Sequence, residues 1–208
     1  SNLLTAYKET VGRLKDTLII ANGEIDWVQF KKMIVWMAER EEGWIKMEYV
    51  KRKEMRVSMS GGKEEKLNNA PMIYREVEDY INPMEEKWEE RYKEALLLGD
   101  EMKDNYVEGL EWVYGYYREE CYDWGWKYKN DYPPLLKELA SLVKEKKERV
   151  VKEAVDVKVQ MAYVLPMEYL NLDESEREKS YYKFEGKFKW AFCRYFWEGH
   201  LVMDYMPI

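Results

Sequence analysis

The residue types that most often carry out catalysis are scarce in this sequence of 208 residues. His200 is the single histidine and lies near the C-terminus, where a structural role is the simpler interpretation. Cys121 and Cys193 are far apart and lack the spacing of a metal site, so we expect reduced thiols. The stretch 60–63 has neither the spacing of a phosphate-binding loop nor a preceding strand. These residues predict no nucleophilic or phosphate-cradling site.

Acidic residues are numerous, with 41 Asp and Glu, but their arrangement does not predict a metal site. Two-metal nuclease sites gather several carboxylates around ions about 4 Å apart. Such carboxylates usually follow apolar strands, which this sequence lacks. Here pairs such as Glu41-Glu42 and Glu85-Glu86 lie in segments with helical periodicity, where they solvate a surface and pair with Lys or Arg. The chain by itself predicts neither catalytic residues nor metal ligands.

One aromatic-rich segment is different. Trp124, Trp126 and Tyr128 occupy every second position. An extended chain points alternate side chains to the same side, so the three rings would share one side. They would then either fill a core or form a surface on which unpaired bases stack, because an aromatic ring stacks on any base. Both interpretations remain open.

The N-terminal part of the chain predicts two helices. Apolar residues at three- and four-residue spacing predict a helix over residues 3–20, and Asn22-Gly23 is typical of a helix stop. Asp26 then lies where an N-cap is expected, and the helix after it is expected to continue past Gly43. The apolar face of this second helix is predicted to consist of Phe30, Met33, Ile34, Met37 and Ala38.

Further helices are predicted after a polar segment. Residues 58–71 are expected to form a flexible linker because they contain paired Gly and Asn residues. Helical periodicity resumes near Pro71, and a leucine-rich helix is expected after Pro134, running into the charged stretch 144–149. The strongest periodic pattern, predicted to share one helix face, comprises Tyr106, Leu110, Val113 and Tyr117.

The C-terminal part is less regular and predicts a short helix over 159–165, a polar loop over 171–179 and a hairpin over 182–190. The sequence therefore predicts a mainly α fold, an irregular multi-helix domain with an aromatic-rich loop segment and a short C-terminal hairpin. Residues 1–57 are its N-terminal helices, and residues 72–208 are the helical body that contains the W-x-W segment. No run of about 18 apolar residues predicts a membrane span.

The charge of the chain restricts its partners. The net charge is −7 and the pI is about 5.1. A free-standing nucleic-acid binder is usually basic, because much of its affinity comes from neutralising phosphates. The chain alone is therefore a poor candidate for RNA binding. It could still line an RNA path whose positive charge another domain supplies.

Residues 106–117 read Y-V-E-G-L-E-W-V-Y-G-Y-Y and lead directly into the tryptophan-containing stretch 120–134. This order resembles the XRN family of 5′→3′ exoribonucleases, in which the first stretch reads "Y-x-E-G-L-x-W-V-x-x-Y-Y". Residues 120–134 follow directly and resemble "G-C-x-S-W-x-W-Y-Y-P-Y-H-Y-A-P", keeping Cys121 and Pro134 in place. Other similar elements occur in the family's order at 20–30, 88–93, 160–166 and 197–207. The departures are Glu120 in place of Gly and the stretch 127–132, which loses a proline and a histidine of the family segment and gains two lysines.

The resemblance implies that the chain is the second conserved, helical region of such an enzyme. In the family, the first conserved region binds Mg²⁺ through carboxylates and holds the 5′-monophosphate. The helical region packs against that nuclease half and narrows the path to a single strand. One tryptophan of the W-x-W segment belongs to the wall past which the 5′ end is threaded. The candidate RNA-path residues are then Trp124, Trp126, Lys127, Tyr128 and Lys129.

The function implied is a helical gate and scaffold of an enzyme that degrades 5′-monophosphorylated single-stranded RNA. Its partners would be the N-terminal nuclease domain and single-stranded RNA, in an intracellular, cytoplasmic location. Mg²⁺ would be bound by the other half, and this chain alone would be inactive. A surface made to pack on the nuclease half could cause the fragment to self-associate. The alternative is a non-enzymatic helical interaction or structural module derived from the XRN fold.

Overall fold

The fold is described by a computed structural model that covers residues 2–55, 57, 61–99, 101–141, 151–154, 156–158, 161, 165 and 188–202. Within these residues the fold is mainly α, which confirms the predicted fold class. The helices are α1 (Asn2–Tyr7), α2 (Trp27–Glu54), α3 (Lys63–Asn68), α4 (Ala70–Ile73), α5 (Glu76–Ile81), α6 (Trp88–Ala95), α7 (Met102–Arg118) and α8 (Leu136–Ala140). The strands are β1 (Phe188–Lys189) and β2 (His200–Leu201). Among the described helices, none is both long and apolar enough to cross a membrane.

The chain divides into two compact units. The first unit comprises residues 1–55, 79–120 and 127–149, and the second comprises 56–78, 121–126 and 150–208. The predicted linker, residues 58–71, stays a prediction, as does the division on either side of it. Inside that segment the structure places α3, and residues 58–60 lie outside the described part.

Helix α2 is the longest element of the first unit and begins where the sequence predicted. The carboxylate of Asp26 accepts hydrogen bonds from the backbone N–H groups of Val28 and Gln29, each at 3.0 Å. These bonds satisfy two of the N–H groups that the first turn of a helix leaves without an intrahelical partner. The predicted continuation past Gly43 is confirmed, because α2 runs unbroken to Glu54.

The core of the first unit forms where α2 meets α1, α7 and α8. The predicted face of α2 is confirmed at Met33, Ile34 and Met37, which are buried, while Phe30 packs against them half-buried. Burying each such side chain stabilises the fold by roughly 1.5–3 kcal/mol. The buried core residues are Ala6, Met33, Ile34, Met37, Val107 and Leu139.

The predicted helix over residues 3–20 is wrong beyond Gly12. A single π-helical turn, Lys8–Gly12, follows α1, and Lys15 then adopts a left-handed conformation with φ 56°. Leu14 is 61% exposed, so the apolar pattern there has no core to cover. Gly23 does adopt the left-handed conformation, with φ 80°, but in a turn between paired residues Ile19 and Ile25 rather than at a helix end.

Helix α7 is confirmed, but its buried face is not the predicted one. Tyr106 and Leu110 are half-buried, whereas Val113 is 44% and Tyr117 is 83% exposed. The buried residues are Met102, Asn105, Val107, Gly109 and Gly115. Apolar residues surround much of this helix, so periodicity alone does not decide which stripe faces the core.

The second unit contains a short antiparallel pairing of β1 with β2, in which Phe188 lies opposite Leu201 and Lys189 opposite His200. Within the described residues, β1 and β2 form a C-terminal hairpin. The predicted hairpin over 182–190 was expected to turn near residues 185–186, which lie outside the described part.

A buried ion pair fastens the β1–β2 segment to the start of α5. The guanidinium of Arg75 donates from Nε at 3.0 Å and from Nη2 at 2.8 Å to one carboxylate oxygen of Glu78. The other oxygen accepts from the backbone N–H of Phe192 at 3.0 Å. The indole N–H of Trp190 donates to the carbonyl of Tyr74 at 3.1 Å. Segments more than a hundred residues apart in sequence are thereby joined.

Several predicted elements lie outside the described residues. These are the charged helix end over 144–149, the polar loop over 171–179 and most of the short helix over 159–165. The leucine-rich helix after Pro134 is confirmed as α8.

Candidate nucleic-acid interface

The most exposed ring of the candidate RNA-path residues is Trp124, which lies on a tight turn in the second unit. The carboxylate of Asp123 accepts from the backbone N–H of Gly125 at 3.0 Å and forms an ion pair with Lys152 at 2.8 Å. The backbone N–H of Lys152 also donates to the carbonyl of Tyr122 at 2.8 Å. Asp123 is buried, whereas Trp124 is 51% exposed. These bonds fix the backbone of the turn, while the side chain of Trp124 faces solvent.

The expected extended conformation with three rings on one side is wrong. The Asp123 side chain closes a turn over residues 123–126, which interrupts the alternation on which that prediction depended. Trp126 is half-buried in the second unit, and Tyr128 belongs to the first. The turn therefore removes the extended backbone that would have aligned the three rings.

Tyr128 serves as an anchor of the loop in the first unit. Its hydroxyl donates to the carbonyl of Tyr132 at 2.9 Å, and its ring meets that of Tyr106 edge-on at 5.5 Å. Burial, followed by the proximity of Tyr106, raises the pKa of Tyr128 to about 12. The hydroxyl consequently stays protonated at neutral pH and keeps its donor role.

The two lysines of the segment are exposed in the first unit. The backbone N–H of Lys129 donates to the side-chain carbonyl of Asn105 at 2.8 Å, and Asn105 is buried on α7. Partial desolvation lowers the pKa of the Lys127 ammonium. The backbone of this loop is therefore fixed to α7 while its cationic side chains reach solvent.

The end of the aromatic segment is held by Glu41, which the sequence did not single out. Its carboxylate accepts from the backbone N–H groups of Leu136 at 2.7 Å and Lys137 at 3.3 Å. Helix α8 has no side-chain cap of its own, so a carboxylate from α2 takes that role. Burial raises the pKa of Glu41, against the opposing effect of the two N–H groups.

Replacing Glu41 by glutamine is expected to remove a pH dependence of stability. Because the pKa of this acid is higher in the folded chain than in the unfolded one, the folded chain binds the proton more tightly. The contribution of Glu41 to the free energy of unfolding therefore falls as pH rises from about 4, the ordinary pKa of a glutamate, towards neutrality. Denaturant unfolding of the E41Q variant across this range should show a smaller loss of stability than the parent chain.

A matched control is Glu42 on the same helix, whose pKa is lowered by its hydrogen bond with Lys46. The E42Q variant should change the pH dependence in the opposite direction and below that range, because the stabilisation by ionised Glu42 is lost as pH falls below about 4. A parent chain and an E41Q variant with parallel pH profiles would contradict the role assigned to Glu41.

The outer side of α7 carries aromatic residues that the sequence patterns did not identify as a surface. Trp112 and Tyr116 stack at 5.4 Å, and Tyr117 meets Tyr116 edge-on at 5.4 Å. Tyr117 is 83% exposed. Their four-residue spacing could have indicated a shared face, but not that the face is exposed.

The side chains considered for catalysis are those of His200, Cys121 and Cys193. His200 lies in β2, and neither Cys121, which is half-buried, nor Cys193, which is buried, forms a disulfide. Throughout the described part of the chain, no group of three or more His, Cys, Asp or Glu residues could hold a metal ion. The donor set for a Mg²⁺ site is therefore missing from those residues.

The comparison with known proteins matches the middle of the chain. Residues 80–166 match the family described as the Xrn1 helical domain, a stretch that includes α6, α7, the aromatic segment and α8. No curated protein matches the sequence. At the level of the family, the match supports an exoribonuclease and RNA degradation. Residues 80–166, a little under half of the chain, are therefore similar to the Xrn1 helical domain.

Proposed function

We propose that the chain is the helical gate and scaffold of a 5′→3′ exoribonuclease that degrades 5′-monophosphorylated single-stranded RNA. The observation that carries this proposal is the family match over residues 80–166, which includes the whole aromatic segment. The exposed ring of Trp124 supports it further, because a fixed, solvent-facing indole can stack on a base of any type.

The chemistry of hydrolysis is assigned to an N-terminal nuclease half that would bind Mg²⁺ and position the scissile phosphate. The described residues of this chain contain no group of His, Cys, Asp or Glu that could hold a metal ion, so binding of Mg²⁺ is assigned to the other half. This chain would line the path of the RNA. Trp124 would provide a stacking surface, and the half-buried Trp126 would support the same turn. The exposed Lys127 and Lys129 would lie near phosphates.

The net charge of −7 makes a second domain necessary for tight RNA binding. Exposed apolar side chains on α7 and α2, such as Tyr117 at 83% and Val28 at 68%, are candidates for contact with that domain. In its absence they would favour self-association of the chain. An intracellular location, cytoplasmic in this proposal, agrees with two cysteines kept as reduced thiols.

The second candidate is a non-enzymatic interaction or structural module that keeps this helical fold. The net charge of −7 favours this second candidate, because a negatively charged protein repels the phosphates of RNA. The coding sequence upstream of residue 1 separates the two candidates. Apolar strands that end in aspartates would support the exoribonuclease, and their absence would support the interaction module.

Reconstitution tests the proposed function directly. The chain alone, with Mg²⁺, is expected to leave 5′-monophosphorylated RNA intact. Joined to its N-terminal nuclease half, it should support degradation from the 5′ end, and the nuclease half alone should be much less active. RNA with a 5′-hydroxyl is the matched substrate control. A nuclease half that is equally active without this chain would contradict the scaffold role.

A further inference from the structure

The second unit carries a solvent-exposed aromatic stack, here called the C-terminal stack, made of Arg194, Tyr195 and Trp197. The rings of Tyr195 and Trp197 lie 4.1 Å apart and are nearly parallel, with an angle of 9° between their planes. The guanidinium of Arg194 lies over the Tyr195 ring at 5.1 Å. Trp197 is 66% exposed. A cation and two stacked rings therefore meet solvent together.

The backbone beneath this stack is held rigidly. The carboxylate of Glu198 accepts from the backbone N–H groups of Arg194 at 2.7 Å and Tyr195 at 3.4 Å. The result is a capped single turn of 3₁₀ helix, Phe196–Glu198. The stack does not have to form when a ligand arrives, so little conformational entropy is lost on binding.

The turn is also anchored on its inner side. The ring of Phe196 packs against those of Phe188 at 4.8 Å and Trp190 at 6.3 Å. Trp190 is itself bonded to the carbonyl of Tyr74. One aromatic residue of the turn is therefore used for packing, while the next one, Trp197, is left facing solvent. Stacking on Tyr195 therefore positions Trp197 but leaves two thirds of its surface, 66%, exposed to solvent.

The segment that carries the stack has more basic than acidic side chains, although helix α3, which contains Glu64 and Glu65, contacts its 3₁₀ turn. The described stretch 188–202 contains Lys189 and Arg194 but a single carboxylate, Glu198, in a chain of net charge −7. That carboxylate is engaged by two backbone N–H groups. An exposed ring with a nearby guanidinium fits a ligand that combines a flat π face with an anionic group.

We propose that the C-terminal stack binds an unpaired base of single-stranded RNA, with Trp197 stacking on the base and Arg194 contacting the adjacent phosphate. This inference rests on the proposed function, and it adds an RNA contact separate in sequence from the Trp124 turn. Stacking is tolerant of base identity, so the contact suits an enzyme that degrades RNA of any sequence.

Photocrosslinking tests this proposal. Single-stranded oligonucleotides containing 5-iodouridine are irradiated with the full chain, and crosslinked peptides are identified by mass spectrometry. We expect crosslinks at Tyr195 or Trp197. The W197A variant should lose them and bind a fluorescent oligouridine about 5- to 150-fold more weakly, the loss of one base–aromatic stack. The W197F variant should retain both. Y80A, which removes an exposed ring on α5, should leave both unchanged.

The outcomes separate this site from the proposed function. Crosslinks confined to Trp124 or Trp126 would overturn the C-terminal stack as a binding site and leave the proposed RNA path in place. Crosslinks at Tyr195 or Trp197 without any at Trp124 would support the stack and count against the gating role. A chain that forms no crosslink and binds no oligonucleotide would overturn this proposal.

Discussion

Replacing Glu78 by alanine is expected to lower the free energy of unfolding by about 3–5 kcal/mol. Glu78 is 2% and the Arg75 side chain 9% exposed, so the variant would leave a guanidinium buried without its carboxylate. It would also remove the acceptor for the backbone N–H of Phe192, which adopts a left-handed conformation with φ 65°. Denaturant unfolding followed by tryptophan fluorescence and circular dichroism measures the loss.

The adjacent residue provides a matched control. Asp79 pairs with Lys53 at 2.6 Å, but both side chains are nearly half exposed, so D79A should cost less than about 1 kcal/mol. If E78A does not fold, the double variant R75M/E78M keeps the test usable, because apolar replacement of a whole buried pair is often tolerated. A stable E78A variant, or a double variant as damaged as the single one, would contradict the assigned role of this ion pair.

Alanine at Trp124 is expected to slow degradation of single-stranded RNA by about 5- to 150-fold in the protein joined to its nuclease half. The ring is 51% exposed on a turn that is held by Asp123 and its neighbours, so its removal should change stability little. Trp126 differs because it is half-buried, and W126A should lower stability as well as the rate. Rates are measured alongside denaturant unfolding of each variant.

Two comparisons make the Trp124 result specific. The W124F variant should keep most of the activity, since a smaller ring still stacks. The effect of W124A should also differ between an unstructured RNA and one with a hairpin near its 5′ end, because a gate acts on strand separation. Unchanged degradation in both the W124A and W126A variants would refute the gating role.

The aromatic segment illustrates how a local pattern can mislead. Alternation of Trp124, Trp126 and Tyr128 suggested a strand-like row, but a buried Asp123 bonds to Gly125 and closes a turn instead. The partner that completes this arrangement, Lys152, lies almost thirty residues later in sequence. No pattern within the segment could have revealed that ion pair, although the segment itself was correctly identified as a break between helices.

The sequence by itself determined the features that depend on neighbouring residues. Helix formation follows from intrinsic propensity and three- and four-residue spacing, and the start of α2 follows from one side chain, Asp26, bonding to N–H groups two and three residues away. The resemblance carried by residues 106–134 likewise needed only residue order. These features survive comparison with the structure because no distant segment is required to produce them.

Only the tertiary structure decided what depends on distant contacts. It ended the first helix at Gly12, placed Tyr117 of α7 in solvent, and brought Glu41 to the start of α8. It also assembled the Arg75–Glu78 pair with Phe192 and left Trp197 exposed. The physical reason is that burial is a property of facing surfaces. The sequence around a residue determines where in a helix that residue lies. Whether its side chain is then buried in the core, bonded to another segment or exposed depends on the segment that packs against it.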